Sequence, residues 1–514
     1  MQAKYLQEFL PDLEEFRTKT MKFHNGEMTI PEYKGFSGGY GSYAQRGGKK
    51  HMLRLRMAGG RLTKERLTFV CNAIREYGID TVKLTTCQSI QFHNLEAEDL
   101  CVLIEETWKA GMISRGGGGD FPRNVMASPL SGVEMGEYFD VQPYAQAMGE
   151  YLMQFIRAVK FPRKLKVCFS NSPKNETHAT FRDLGFVANE DGTFDVYAAG
   201  GLGNRPELGV KVADHIDPAN ICYYAKAMVN TFVTYGNYEN RGRARTRFMQ
   251  ESLGKEGFVQ AFQDKLAEVI ATEDLAITVE KQEIHKTADA DETFRHPRVI
   301  PQKQTGLYAV FYQPIGGMIA PEKFMEFEEC IREMDEIEIR LTPKEGLYFI
   351  NCTATEAQKI LAITEDGANT LFEASVACVG NAICQVGVGN SQELLRCCVE
   401  AVRKEQFADG VLPQIHISGC PSSCSAHQIG SIGFRGAVKQ TPDGPKPAFA
   451  IFIDGCDRQG NEKIAETGKA IAAQEIPQFL VDLGRMISAE NTTYEVWIAA
   501  NHEKLDSLIE KYTA

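Results

Sequence analysis

The chain repeats itself. Residues 257 positions apart match without a gap in three places: "GGRL" from Gly59 falls on "GGMI" from Gly316, Ile74-Arg75-Glu76 on Ile331-Arg332-Glu333, and "VKLT" from Val82 on "IRLT" from Ile339. Each match is short, but one offset shared by all three points to a duplicated unit. A duplication constrains the fold more than any single motif. It predicts two like halves about a pseudo-twofold axis, with a shared site lying between them.

Each copy reads as strand, helix, strand, helix. In the first, "MLRLRM" alternates strictly and "TKERLTFVCNAIREYG" has helical periodicity. "TVKLTTCQSIQFHNL" reads as the next strand, and a second helix begins near Glu96. A larger α/β segment follows each copy, over about 120–280 and about 370–514. Between the halves, "HKTADADETFRHPRVIPQKQ" is polar and holds two prolines, which suits a linker. The expected fold class is therefore α/β with mixed α+β sheets, internally duplicated and pseudo-twofold. The expected divisions are a half-repeat with a leading arm at 1–115, an α/β domain at 116–284, a linker at 285–304, a second half-repeat at 305–367 and a second α/β domain at 368–514.

Composition narrows the function. A chain of 514 residues should divide into roughly two to four domains. No stretch approaches the roughly twenty apolar residues that span a bilayer. The opening "MQAKYLQEFLPDLEEF" lacks a basic n-region and an apolar signal core, so a cytoplasmic location is expected. A net charge of −12 argues against nucleic acid as the main partner and makes local runs of Arg and Lys worth explaining. Fourteen cysteines in a reducing compartment suggest metal or redox chemistry, not a disulfide framework. Cys71, Cys101, Cys330, Cys397 and Cys398 lie in apolar or helix-like contexts and are expected to be inert.

Two cysteine pairs stand apart. "ACVGNAICQVGVGNS" holds Cys378 and Cys384, five residues between them; "SGCPSSCSAHQIGSIGFRG" holds Cys420 and Cys424, three between. Four thiolates complete a ligand set for a cubane iron–sulfur cluster and equally for structural zinc. Zinc knuckles usually use shorter spacings in both pairs, and the glycines of "GVGNS" let backbone approach a bulky group. Spacing alone still leaves zinc, or two unrelated loops, open.

Cys-x5-Cys followed by Gly-Cys-Pro-x-x-Cys in a duplicated chain resembles the sirohaem-dependent sulfite and nitrite reductases, over roughly residues 35 to 500. The resemblance implies ferredoxin-like half-repeats, cofactors between the halves, and a 4Fe-4S cluster held by Cys378, Cys384, Cys420 and Cys424. Cys424 would also bridge to the sirohaem iron. One departure is Ser422, where members often carry asparagine.

Such a site needs cations for a small anion and for the carboxylates of the macrocycle. Alternation puts Arg54 and Arg56 on one strand face, and Lys164 and Lys166 on one face of "FPRKLKVCF". Either pair alone could equally sit on a solvated face. By resemblance, "LRLRMAGG" implies Arg54 as a substrate contact, "FPRNVMASP" implies Arg123, and "PRKLK" implies Lys164 and Lys166. Lys-x-Lys favours sulfite, because plant-type nitrite reductases tend to carry Lys-x-Asn. "ENRGRARTRF" resembles the run that pairs with sirohaem carboxylates, through Arg241, Arg245 and Arg247. "AAGGLGNRP" resembles a cofactor loop, implying Gly200 and Gly201, and "LTTCQSIQFHNL" matches in Gln88, Gln91 and His93. Lys83 and Cys87 stand where members usually have arginines. His178 is expected to contact cofactor or cap a loop, and His427 to be structural or to support a ligand.

The implied reaction is the six-electron reduction of sulfite to sulfide, of nitrite to ammonia, or of both. With no flavodoxin-like or nucleotide-binding segment apparent, electrons are expected from a separate carrier such as ferredoxin, to a protein off the membrane and monomeric. Alternatives are a dedicated ferredoxin–nitrite reductase, a zinc-stabilised binding module and a cubane-only electron-transfer subunit.

Overall fold

The computed structural model describes residues 2–288, 294–442 and 444–513. Among them are four five-stranded sheets, two antiparallel and two mixed. The first antiparallel sheet orders Ser42–Ala44, His51–Leu55, Ile90–Leu95 and Val82–Leu84, and Met318–Ile319 of the other half completes it. The second orders Val299–Pro301, Tyr308–Tyr312, Leu347–Cys352 and Glu338–Leu341, completed in return by Arg61–Leu62. Each half thus closes the other's sheet with a strand of its own.

The 257-residue offset holds through the backbone. His51–Leu55 falls on Tyr308–Tyr312, Arg61–Leu62 on Met318–Ile319, and Ile90–Leu95 on Leu347–Cys352. Positive φ angles repeat as well: 61° and 69° at Gly59 and Gly60 match 59° and 68° at Gly316 and Gly317. The second glycine of each pair sits where the exchanged strand crosses. A Cβ on Gly60 would lie 2.8 Å from the Leu341 carbonyl oxygen, and one on Gly317 2.7 Å from Glu345 Cβ. Left-handed backbone and close approach together require glycine there.

Helices cover the outer faces. Lys64–Tyr77 starts from a Thr63 side-chain cap, stops at left-handed Gly78, and buries Leu67, Val70, Ala73 and Ile74. Its twin Pro321–Ile331 buries Phe324, Phe327 and Ile331 against it, so one apolar core runs through both half-repeats. Two sequence expectations change. "TVKLTTCQSIQFHNL" is a hairpin, not one strand, because the Thr85 hydroxyl accepts from the Cys87 and Ser89 N–H groups and Gln88 turns to φ 51°. Within 285–304, Val299–Pro301 joins the second antiparallel sheet, and residues 289–293 lie outside the described residues.

The larger segments repeat the theme. Met126–Ala127, Val167–Ser170 and Leu184–Ala188 run parallel, and Phe194–Ala198 and Val210–Ile216 complete the sheet antiparallel. Val376–Ala377, Ile415–Ser418, Ile432–Thr441, Gly444–Ile453 and Glu466–Ala472 follow the same plan. The loops after Val167–Ser170 and Ile415–Ser418 reach the other half: Asn175 Nδ2 donates to the Asp457 carbonyl at 2.6 Å, and the Cys424 carbonyl accepts Thr86 Oγ1 at 2.7 Å. The carboxyl ends of parallel strands are a usual place for a site in such sheets.

A buried ion pair fastens that seam. Lys83 Nζ lies 2.7 Å from Glu345 Oε1, with both side chains about 3% exposed. Lys83 also donates to the Gly316 carbonyl at 2.6 Å, and Glu345 accepts from the Ala377 N–H at 3.0 Å. Burial pushes the Glu345 carboxyl up to about 7 against the pull of Lys83, and burial likewise lowers the Lys83 ammonium against the pull of Glu345. Removing one member strands the other in a dry interior. Glu345→Ala is expected to destabilise the protein by about 3–5 kcal/mol in urea unfolding. The neutral pair Lys83→Met/Glu345→Gln should recover most of that loss; an equally destabilised double variant would remove the pair from the seam.

Candidate active site between the halves

The two cysteine loops close on each other. Cys378 follows Val376–Ala377, and its Sγ accepts the Gly419 N–H at 3.1 Å and lies 3.1 Å from Ser391 Oγ. Cys384 ends the helical turn Gly380–Ile383, and Cys420 and Cys424 follow Ile415–Ser418. Three of the thiols act on the fourth. Burial first, then the like charges of Cys378, Cys420 and Cys384, push the Cys424 thiol up to about 12, while Lys164 pulls the other way. Cys424 is exposed yet enclosed by protein mass, as befits a side chain on the wall of an internal cleft. Among the described residues, no three His, Cys, Asp or Glu side chains gather tightly enough to grip a single metal ion.

The first half grips these loops. Arg46 Nη2 donates to the carbonyls of Cys384 at 3.1 Å and Gly387 at 2.9 Å, and its N–H donates to Ile383 at 2.8 Å. Thr86 Oγ1 donates to the Cys424 carbonyl at 2.7 Å. A third tie runs through Gln428, whose amide exchanges two 2.8 Å hydrogen bonds with Gly203 of the glycine-rich loop.

Opposite Cys424, cations crowd. Arg54 projects from His51–Leu55 beside its cross-strand partner Gln91, whose amide oxygen, suitably oriented, accepts Arg54 Nε at 2.9 Å. Arg54 Nη1 also donates to the Gly117 carbonyl at 2.7 Å. Arg123 donates to the Gly117 and Gly119 carbonyls at 2.9 and 2.8 Å. Burial, then Arg245, Lys166 and Arg123, drive the Lys164 ammonium well below the ordinary lysine value. Lys166 feels Cys87 most strongly, but burial, Arg182 and Arg245 outweigh that attraction and lower it too. Arg123 falls to about 10, mainly through burial. Among the described residues, Arg123 Nε, Arg245 Nε and Arg247 Nη1 are buried without a hydrogen-bond partner. Like charges crowded in a desolvated cleft, with donors to spare, create a strong demand for an anion.

Asp183 organises part of this array, although no motif points to it. Fully buried, it accepts Arg245 Nη2 at 2.9 and 3.0 Å, the Lys166 N–H at 2.8 Å and the Thr246 hydroxyl. Gly200 and Gly201 lie where Arg245 and Arg247 pass: a Cβ on Gly201 would come 3.3 Å from Arg247 Nη1 and 3.7 Å from Arg245 Nη2, and one on Gly200 2.8 Å from the Arg182 carbonyl.

Other named residues are placed differently. Gln88 spends its amide on the backbone of Ala127 and Leu341, joining the halves. His93 is buried and held neutral, its value lowered to about 3 by burial, then by Lys83 and Arg54. Arg241 lies at the surface, ion-paired to Asp120. Arg56 is spent on the carbonyls of Arg115, Pro122 and Arg123. His178 pairs with Asp457 at 3.1 Å, and His427 packs its ring edge-on to Phe452. Lys83 turns its charge to Glu345, as described. Cys87, which carries no positive charge where members usually have arginine, sits among cations instead: burial pushes its thiol up, but Lys166, Arg182, Arg54 and Lys164 bring it down to about 6.

The first α/β segment carries a cast of the cysteine loops without the sulfur. The Asn171 N–H donates to Ser128 Oγ at 3.1 Å, as the Gly419 N–H does to Cys378 Sγ. Asn175 and His178 repeat the left-handed turns of Ser423 and Ala426. Offsets of 250 and 248 residues then set Ser128 on Cys378, Glu134 on Cys384, Ser172 on Cys420 and Glu176 on Cys424. Only the second copy can hold a cluster through thiolates.

Comparison with known proteins decides what this assembly is. Residues 43–108 match the nitrite/sulfite reductase ferredoxin-like half domain, and residues 118–270 match the nitrite and sulphite reductase 4Fe-4S domain. Both stretches are thus domains of the nitrite and sulphite reductase family. It is 26% identical to a ferredoxin–nitrite reductase of Synechococcus elongatus, covering 84% of this chain and 85% of that one. A chloroplastic ferredoxin–nitrite reductase of Betula pendula is 27% identical, over 79% of this chain and 71% of the relative. The sulfite reductase [NADPH] hemoprotein beta-component of Bacillus subtilis is 25% identical, over 75% and 73%. The Mycobacterium tuberculosis NirA protein shares the fold with a TM-score of 0.78 at 20% identity, over 98% and 97% of the two chains.

With these domains the chain is an oxidoreductase, and the family's two cofactors fit the residues present. Cys378, Cys384, Cys420 and Cys424 would hold a 4Fe-4S cluster: Cys378 accepts the Gly419 N–H beside Cys420, and the other three thiols all act on Cys424. The partnerless nitrogens of Arg245 and Arg247, with the glycines beside them, suit the carboxylates of sirohaem. Cys420→Ser should abolish bound iron and acid-labile sulfide in purified protein while leaving the far-ultraviolet circular dichroism unchanged. Full iron content in that variant would remove Cys420 from the ligand set.

Proposed function

We propose that this protein reduces sulfite to sulfide with six electrons delivered one at a time by a ferredoxin-like carrier. The observation that carries the reading is the cluster of crowded, partly unsatisfied cations Arg123, Lys164, Lys166 and Arg245, whose two lysines feel the Cys424 thiol. When bound, the coupled sirohaem and cluster supply the electrons and the iron on which the anion is reduced. The chain's own residues bind, orient and protonate. Arg54 and Arg123, fixed by the shared Gly117 carbonyl, would clamp the anion. Lys164 and Lys166 are acidified by burial and like charge, so each gives up a proton more readily than a free lysine.

Support for a protein donor lies beside the cysteine loop. Val386 and Val388 are 51% and 45% exposed, and Arg46 and Lys49 are exposed on the hairpin whose Arg46 bonds the Cys384 carbonyl. Apolar contact rimmed by positive charge suits an acidic carrier docking close to the cluster ligands.

Reduction of nitrite to ammonia is the second reading, favoured by the ferredoxin–nitrite reductases among the relatives. Steady-state kinetics with both anions decides between them. The sulfite reading predicts the larger kcat/KM for sulfite; a large preference for nitrite reverses the order. Lys166→Asn is expected to shift the ratio of kcat/KM toward nitrite by about tenfold or more while sparing sirohaem content. Loss of sirohaem in that variant would contradict an anion-facing role.

The acidified lysines also set a pH dependence. Lys164 is lowered, so its ammonium is present at low pH and lost as pH rises through a value below 10.5. The pH profile of kcat/KM should therefore fall on the alkaline side, below the ordinary lysine range. Lys164→Gln should flatten that limb and lower kcat/KM by about 100-fold or more. A limb that persists in Lys164→Gln would assign it to another group.

A further inference from the structure

Gly116, Gly117, Gly118 and Gly119 run consecutively beside the two arginines of the anion pocket. The Gly117 carbonyl accepts Arg54 Nη1 at 2.7 Å and Arg123 Nη1 at 2.9 Å, and the Gly119 carbonyl accepts Arg123 Nη2 at 2.8 Å. Both guanidiniums therefore hang from carbonyls of one loop. A run of glycines is the most permissive backbone available and has no side chains with which to anchor itself. The Gly116 and Gly117 N–H groups donate to the Gly39 and Ser114 carbonyls, each at 2.8 Å, which leaves the Gly118–Gly119 end to be held by something else.

The Tyr43 hydroxyl accepts the Gly119 N–H at 2.7 Å. Its surroundings leave no slack. A Cβ on Gly118 would come 2.7 Å from the Tyr43 oxygen and 2.4 Å from the Gly38 carbonyl, and a Cβ on Gly38 would come 2.8 Å from the same phenol oxygen. The ring is boxed between two glycine segments that can approach only because they lack side chains. Its strand, Ser42–Ala44, pairs with His51–Leu55, and the Arg54 N–H donates to the Gly41 carbonyl at 3.0 Å, so Tyr43 and Arg54 sit on one frame. Burial would raise the phenol's pKa, but Arg123, the Gly119 N–H and Arg54 together lower it, in keeping with an oxygen set among these cations.

We propose that Tyr43 is a positioning residue of the anion pocket: its hydroxyl locks the glycine loop whose carbonyls aim Arg54 and Arg123. The proposal rests on the reading that those arginines bind the anion. Tyr43 touches neither the cysteine loops nor the Arg245 cluster through any hydrogen bond among the described residues, so its effect should fall on anion affinity and not on cofactor loading.

The test uses the holoenzyme and two readouts: steady-state kinetics, and the sulfite dissociation constant from spectral titration of the resting protein. Tyr43→Phe keeps the ring and removes the hydroxyl. It is expected to raise KM and the dissociation constant by about tenfold, to leave kcat within about twofold, and to leave sirohaem and iron unchanged. Gly118→Ala, which drives a methyl against the hydroxyl, should weaken sulfite binding similarly, and the double variant should be less than additive. Arg123→Gln serves as the control. If it weakens sulfite binding while Tyr43→Phe does not, Tyr43 has no positioning role and the anion pocket stands. If Arg123→Gln also binds sulfite normally, the pocket reading itself fails. Loss of sirohaem in Tyr43→Phe would overturn the proposal in favour of cofactor binding.

Discussion

The structure depends on one exchange: each half completes the other's sheet with a strand it cannot use itself. Arg61–Leu62 and Met318–Ile319 cross at paired glycines whose missing Cβ atoms let backbones come within van der Waals contact. The exchange commits the two half-repeats to a single core, and Lys83–Glu345 fastens the seam at its dry centre. Because the halves cannot separate without opening both sheets, loops from one can serve as walls for the other. Arg46 and Thr86 of the first half bond directly to carbonyls of the cysteine loops in the second. The site is a consequence of the seam.

Charge explains the rest. A chain with a net charge of −12 gathers Arg123, Lys164, Lys166, Arg182 and Arg245 into one buried cleft, where burial and mutual repulsion depress the two lysines and Arg123. Asp183 offsets one of them and Cys87 a fraction more, but the cleft keeps unmatched donors. That imbalance is unfavourable for folding and useful for function, the usual relation between perturbed groups and active sites. Duplication supplied two such loop sets. One carries Cys378, Cys384, Cys420 and Cys424; in the other, Ser128, Glu134, Ser172 and Glu176 occupy the corresponding places, and Glu134 binds Lys174 and Asn171. The asymmetry between copies leaves the protein one set of four thiols in these loops.

Much of this was legible in the sequence, for identifiable reasons. The half-repeats showed because their offset of 257 is gapless, so even turns such as Gln88 and Glu345 stay in register. The cysteine loops showed because thiols are rare and their spacing distinctive. The duplication of the larger segments did not show: insertions split it into offsets of 250 and 248, and serine and glutamate replace the cysteines. The hairpin at Val82–Leu95 was hidden because its turn is made by a threonine hydroxyl and a left-handed glutamine, without glycine or proline. Asp183 and Tyr43 lie in no motif. They act through backbone groups far along the chain, and only the folded arrangement brings Tyr43 to Gly119 or Asp183 to Arg245. Arg241, chosen from an alternating basic run, sits at the surface with Asp120, because the run is a short 3-10 turn and loop in which alternation does not define a face.

Under the proposed function, cations of the first half and thiols of the second form one reducing centre. The visible spectrum of the purified holoprotein, recorded with and without sulfite and matched to iron and acid-labile sulfide content, tests it most directly. The account predicts the bands of a haem coupled to a cubane, shifting when sulfite is added. A colourless protein carrying stoichiometric zinc, or haem bands that sulfite and nitrite leave unmoved, would contradict it.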